Sequence, residues 1–138
     1  MLAESCIFCK IIRGEIPSQK VFENDEVLAF LDINPLSTGH TVVIPKRHAE
    51  RLADLDEDWN AALGRVIGRL SKLVVSVVAA EGHNVLQNDG AVAGQVVPHV
   101  HYHIVPRWAS DGLGYRWNAK SANADELTQL AQRIRAAL

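Results

Sequence analysis

With 138 residues, 48% of them apolar and 22% charged, the chain can bury one core and is too apolar to stay disordered. Sixteen acids against fourteen bases leave a net charge of −2, so nothing marks a nucleic-acid or anionic-membrane partner. Met1-Leu2-Ala3-Glu4-Ser5 lacks a basic-then-apolar leader, and no run approaches the ~20 apolar residues of a membrane span. We therefore expect a single domain over residues 1–138, with a cytoplasmic location.

In chain order, residues 6–12 read as a short helical turn stopped by Gly14 and Pro17. Residues 20–23 and 27–32 read as two strands joined across Asn24-Asp25-Glu26, a composition that favours a hairpin. Asn34-Pro35 ends the second, and the β-branched residues 40–45 make a third. Asp54, with Glu57 three residues on, has the spacing of a capping box. Trp59, Leu63, Val66, Ile67, Leu70, Leu73, Val74 and Val77 then recur at helical spacing until Gly82. Gly64 and Gly68 lower the propensity of that helix, which leads us to expect close approach to a sheet there. His83 is expected in a loop, residues 84–87 and 97–105 as fourth and fifth strands. Asn123, Glu126 and the stripe Leu127, Leu130, Ile134, Leu138 mark a C-terminal helix. The fold class is α+β: a five-stranded antiparallel sheet with one long crossover helix and a C-terminal helix, helices covering one side.

The stretch His99-Val100-His101-Tyr102-His103-Ile104-Val105 carries the chemistry. Residues two apart on a strand share a face, so the three imidazoles point one way and Val100, Tyr102 and Ile104 the other. The histidine face is expected to be open, so that truncating His101 leaves no void. A row of rings that titrate near neutrality suits nucleophilic, proton-transfer or metal chemistry. At ~3.3 Å per residue His99 and His103 lie ~13 Å apart, too far for one ion at Zn–N bonds of ~2.0–2.1 Å. Division of labour among the histidines is the better reading. Cys6-Ile7-Phe8-Cys9 holds the only two cysteines, in a Cys-x-x-Cys spacing compatible with redox chemistry, zinc or plain burial. A redox site of that spacing should open the helix of a βαβ unit, and none follows here.

The triad run resembles the signature of the histidine triad (HIT) family of nucleotide-binding hydrolases and transferases. Ile7-Phe8-Cys9-Lys10-Ile11-Ile12, Gly14-Glu15-Ile16-Pro17, Leu28 to Ile33, Gly39-His40-Thr41 through Ile44-Pro45-Lys46, Asn88-Asp89-Gly90 and Gly94-Gln95 stand in the family's order. The resemblance covers residues 4 to 108 and is closest to small bacterial members whose triad ends in Pro-Arg, here Pro106-Arg107. It implies a five-stranded sheet and a homodimer formed through the helix and a strand.

For the site it implies His101 as nucleophile on the α-phosphate of a purine nucleotide or nucleotide conjugate, with water hydrolysing the nucleotidyl-histidine. The backbone carbonyl of His99 would fix the tautomer of His101. His103 would donate to a phosphate oxygen or the leaving atom, and His40 would support the nucleophile. Asn88, Gly94, Gln95 and Val96 would surround the phosphate, with amide donors close to it. Asp32 would accept from the ribose, and Phe8, Phe30 and Ile33 would form the base slot. For Phe8 and Phe30, plain core packing stands beside that role. A structural zinc would be held by Cys6, Cys9, His48 and His99. Two departures bear on the substrate: Val96 stands where many members carry Ser or Thr, and the Pro106-Arg107 ending differs from the Gly-rich one of the phosphoramidase branch. Hydrolysis of phosphoramidates or adenylated amines comes first. Dinucleoside polyphosphate hydrolysis, a non-catalytic nucleotide-binding scaffold, and a catalytic zinc enzyme with the triad as ligands are the alternatives.

Overall fold

The computed structural model describes residues 1–114 and 119–138. In chain order its elements are α1 (Ile7–Ile12), β1 (Lys20–Glu23), β2 (Val27–Leu31), β3 (Thr41–Pro45), α2 (Glu57–Val78), β4 (Gly82–Gln87), β5 (Tyr102–Arg107) and α3 (Ala124–Ala137). The five strands form one antiparallel sheet in the order β1-β2-β3-β5-β4. The long helix α2 leads from β3 to the edge strand β4, and β5 then returns between them, as the pattern of elements led us to expect.

Four details differ from the sequence reading. The first is the start of α2: Asp56, not Asp54, caps it, its carboxylate accepting the Trp59 N–H at 3.2 Å. Leu52–Asp54 is a separate 3-10 turn. Gly64 and Gly68 lie on the exposed side of α2, where an added Cβ would meet nothing within 4 Å, so close packing does not explain them. β4 begins at Gly82, which puts His83 in a strand opposite Pro106 and not in a loop. β5 begins at Tyr102; residues 97–101 leave the ladder, and Val100 N–H bonds to the Ala49 carbonyl at 2.8 Å.

Even so, the period-two alternation persists through residues 99–104. Val100 and Ile104 are fully buried in a core with Leu63, Val66 and Leu70 of α2, and Tyr102 packs against it. The histidines face the other way, and that side is not open. Helix α1 lies over it, its Ile11 packed with Leu28, Phe30, Val42 and Ile44 while Phe8, Ile12 and Ile16 close around them. Helices therefore cover both faces, not one. That is why β2 and β3 read as continuous apolar runs, since each is buried on both sides. Each such side chain contributes ~1.5–3 kcal/mol relative to exposure. Helix α3, N-capped by Asn123, buries none of its residues.

Strand register sets out the working surface. Phe30 pairs with Val42, Val42 with His103, and His103 with Leu86, a row crossing four strands on the α1 side.

Candidate functional site

That row is part of the wall of a cavity of about 550 Å³. Of the residues singled out in the sequence, Phe8, Phe30, Asp32, Ile33, His40, Asn88, Gly94, Val96, His101 and His103 line it. Gln95 and His99 do not. Phe8 and Phe30 meet edge-to-face at 5.6 Å, and Phe8 packs on the His101 ring at 5.1 Å. The two aromatics therefore serve the core and the cavity together. Ile33 and Val96 stand at the mouth, 88% and 89% exposed. His101 is only 5% exposed, so alanine there would leave a void under Phe8, contrary to the open face expected.

Backbone groups decide which nitrogen of each ring carries a proton. His101 Nδ1 lies 2.6 Å from the carbonyl of His99 and must donate to it. Its Nε2 is thereby left as a lone pair. Leu36 N–H points at His40 Nδ1 at 3.0 Å, so that atom accepts and His40 carries its proton on Nε2. His40 Nε2 then donates to His103 Nδ1 at 2.8 Å, with Asp32 Oδ2 at 3.6 Å from the same nitrogen. His103 is left with its own proton on Nε2. Asp32 Oδ1 accepts the Asn34 N–H at 2.8 Å, and the second oxygen remains for a ligand.

Burial keeps these rings neutral. It pushes His103 down to about 4, assisted by the neighbouring His101 and His40, and it lowers His101 and His40 as well. A neutral His103 is a hydrogen-bond donor, not a source of protons, because giving up Nε2–H would leave an imidazolate.

The loop after β4 is braced from behind. Asp89 takes Arg51 Nη1 at 2.9 Å and the Leu52 N–H at 2.8 Å. Gln95 Oε1 accepts the Gly90 N–H at 2.7 Å, while its Nε2 donates to the carbonyls of Glu50 and Val97 at 2.8 and 3.1 Å. The side chain of Gln95 thus holds the loop together. The amides of Gly94 and Gln95 are spent inside the turn, on Ala91 and Gly90 carbonyls. Asn88, Val96 and Val97 of this loop line the cavity, and the N–H groups of Val96 and Val97 have no partner among the described residues. Sequence patterns gave no sign of the Val97 amide, because a backbone donor leaves no residue signature. Gly90 and Gly94 both have φ of +94°, and a Cβ on Gly90 would stand 2.8 Å from Arg51 Nη1.

Behind the cavity, Cys6, Cys9, His48 and His99 bring their donor atoms within 4.8 Å of one another. His99 Nε2 donates to the Pro45 carbonyl at 3.0 Å, which leaves Nδ1 as a lone pair facing the group. That Nδ1 is 3.4 Å from Cys6 Sγ, 3.5 Å from Cys9 Sγ and 3.3 Å from His48 Nδ1; Cys9 Sγ is 3.5 Å from His48 Nδ1. A tetrahedron with Zn–N of ~2.05 Å and Zn–S of ~2.3 Å has edges of ~3.3 Å (N···N) and ~3.6 Å (S···N). The residues fit such an ion. Asp32, His40 and His103 also converge within 4.8 Å, but the proton that Leu36 forces onto His40 Nε2 bars that nitrogen from ligation. The triad histidines are divided between the two places: His99 faces Cys6, Cys9 and His48, while His101 and His103 line the cavity.

A family model for the HIT domain matches residues 13–109. The chain belongs to the HIT family. An adenosine 5'-monophosphoramidase of Candida albicans is 40% identical over 136 residues, covering 95% of this chain and 90% of that protein. A crystal structure of a HIT family member from Bacillus subtilis superposes with a TM-score of 0.93 at 38% identity, covering 98% of each chain. A zinc-bound histidine triad protein from Mycobacterium smegmatis superposes at 0.76 with 36% identity, covering 96% of this chain and 97% of the other. The HIT fold expected from the triad run is thus the fold observed.

Proposed function

We propose that residues 1–138 form one HIT domain that hydrolyses nucleotide conjugates at the α-phosphate, through a nucleotidyl intermediate on His101. The observation that carries this reading is the His101 Nδ1–His99 carbonyl bond, which leaves an unprotonated Nε2 on the cavity wall. A neutral imidazole is a competent nucleophile at pH 7, and a covalent step divides one hard displacement into two easier ones. In the first, Nε2 bonds to phosphorus as the bond to the leaving group breaks, an amine departing with a proton taken from solvent; in the second, water takes the place of Nε2 and gives up a proton to solvent, which restores the neutral ring. His103 Nε2–H, the Val96 and Val97 amides and Asn88 donate to the phosphoryl oxygens as charge builds on them. His99 acts through its carbonyl, and His40 by orienting His103. Asp32 Oδ2 accepts from the ribose, and the base lies between Phe8, Phe30 and Ile33.

Phosphoramidates or adenylated amines are the first-choice substrates, supported by the phosphoramidase relative. The alternative, dinucleoside polyphosphate hydrolysis, is favoured by Val96, which gives a departing amine no hydroxyl. A merely nucleotide-binding scaffold does not need the ring tautomers the site enforces. Zinc in the Cys6, Cys9, His48 and His99 set is structural: it supplies folding energy and no reacting group. A homodimer is supported by exposed apolar residues on α2 (Leu73, Val77) and on edge strand β4 (Val85). A cytoplasmic location is supported by the two free cysteines. Among the described residues no helix is long and apolar enough to cross a membrane.

His101→Asn keeps a donor for the His99 carbonyl and much of the ring's volume, so it should fold and bind nucleotide normally. Its turnover of an AMP-amine should fall below about a hundredth of wild type, since losing a covalent nucleophile exceeds the ~10²–10⁴-fold effect of a general acid or base. A variant retaining more than that removes His101 from the reaction. Elemental analysis of purified protein is expected to find one zinc per chain, reduced in Cys6→Ser and in His48→Ala together with the melting temperature; wild type free of zinc leaves two buried thiols instead. For the leaving group, the quantity to compare is kcat/KM for a phosphoramidate against a polyphosphate. Val96→Ser should raise the first more than the second, and an unchanged ratio means that the leaving group meets the Val96 amide and not its side chain.

A further inference from the structure

Asn88, Gly94, Val96 and Val97 of the loop between β4 and β5 line the cavity; Gln95 stands among them and does not. Its carboxamide is turned into the loop, with both amide hydrogens and the oxygen engaged. Oε1 accepts the Gly90 N–H at 2.7 Å, and Nε2 donates to the Glu50 and Val97 carbonyls at 2.8 and 3.1 Å. Only one setting of the carboxamide allows this, since the reverse puts its oxygen against two carbonyls and its NH2 against an N–H. The main chain repeats the grip: the Gln95 N–H donates to the Gly90 carbonyl at 3.1 Å. Glu50 is itself a fixed point, because its neighbours in the segment after β3 are tied to the same region. The Ala49 carbonyl accepts the Val100 N–H at 2.8 Å, and the Leu52 N–H donates to Asp89 at 2.8 Å.

The peptide units that matter lie between these anchors. The unit joining Gly94 to Gln95 is pinned through the Gln95 N–H. The unit joining Val97 to Pro98 is pinned through the Val97 carbonyl, which accepts from Gln95 Nε2 at 3.1 Å and from the His99 N–H at 2.8 Å. The two units in between carry the Val96 and Val97 N–H groups, which have no partner among the described residues. Each can swing only through the soft φ and ψ at its ends, and pinning both flanking units limits that swing. We infer that Gln95 is a positioning residue of the reaction: without touching substrate, it holds the Val96 and Val97 amides where charge builds on the phosphoryl oxygens. This rests on the hydrolase reading above, which supplies those oxygens. Donors fixed in advance act on the transition state more than on the bound substrate, so Gln95 contributes to rate and not to affinity. Gln95 is half-buried, so in its absence water reaches Gly90 and Glu50 and the fold persists while the loop drifts.

The test compares wild type, Gln95→Met and Gln95→Glu on an AMP-amine and on the two diastereomers of that substrate with sulfur in place of one non-bridging oxygen. Methionine keeps the length and removes all three side-chain bonds; glutamate keeps the acceptor for Gly90 and removes both donors. Gln95→Met should lose about a hundredfold in kcat, the scale of a misplacement of about 1 Å, with KM nearly unchanged. Sulfur accepts hydrogen bonds poorly, so wild type should prefer one diastereomer, and Gln95→Met should narrow the ratio of their kcat/KM values by about tenfold. That ratio does not depend on how much protein is active, so a residue that only stabilised the fold would leave it at the wild-type value. Gln95→Glu should fall between the two, its charge bearing on both diastereomers alike, and it carries the test if Gln95→Met does not fold. Variants with the wild-type ratio overturn the inference whatever their kcat, as does a wild type indifferent to the position of sulfur. Wild type that hydrolyses neither the AMP-amine nor its sulfur analogues overturns the hydrolase reading itself, and the inference with it.

Discussion

His99 is fully buried, and three of its hydrogen-bonding groups point to three different structures. Nε2 is tied to the Pro45 carbonyl at the end of β3, Nδ1 faces Cys6, Cys9 and His48, and the carbonyl holds Nδ1 of His101. The ring cannot turn over without losing the hydrogen bond to Pro45 and turning a C–H toward Cys6, Cys9 and His48, so its orientation is fixed by the sheet. From that one fixed residue follow both the lone pair offered toward Cys6, Cys9 and His48 and the lone pair offered to the cavity. His40 repeats the device on the other side, where the Leu36 amide fixes its tautomer and through it that of His103.

Helix α1 makes the arrangement chemically useful. Six residues are too few for a helix to persist in isolation, so α1 depends on what it packs against. Its apolar residues bury on Leu28, Phe30 and Val42, and the cysteines at its start, Cys6 and Cys9, meet His48 and His99. In return it shields the histidine face from water. Desolvation is the leading cause of the depressed histidine pKa values: it lowers His101 from the ordinary value near 6.5, and it pushes His99 and His103 down to about 4. The segment that carries Cys6 and Cys9 is thus also the one that shields His101 and keeps it unprotonated.

Much of this was legible in the sequence because it is written in side-chain periodicity. Val100, Tyr102 and Ile104 against His99, His101 and His103 displayed the two faces of a strand, and the stripe from Trp59 to Val77 displayed α2. The convergence of Cys6, Cys9, His48 and His99 came from the family resemblance, because no spacing rule connects residues 6 and 99. What stayed hidden rests on the backbone. Neither the Leu36 amide nor the Pro45 carbonyl has a residue signature, and the free donors at Val96 and Val97 emerge only once Gly94 and Gln95 have closed their turn. The amide donors expected at Gly94 and Gln95 were misplaced for the same reason: both close the turn, and the Gln95 side chain braces the loop. Helix α1 is too short to display a period, so its cover over the second face of the sheet was not foreseen, and with it the burial of His101.

The central claim is that backbone groups assign the tautomers on which the chemistry depends. Nitrogen-15 NMR of the imidazoles in the ligand-free protein measures this directly. At pH 7 the account requires His101 neutral with its proton on Nδ1, and His40 and His103 neutral with protons on Nε2, with His101 and His40 becoming cationic only below the ordinary histidine value and His103 only at about 4. A His101 that carries its proton on Nε2, or that becomes cationic at about pH 6.5 like an exposed histidine, would contradict it.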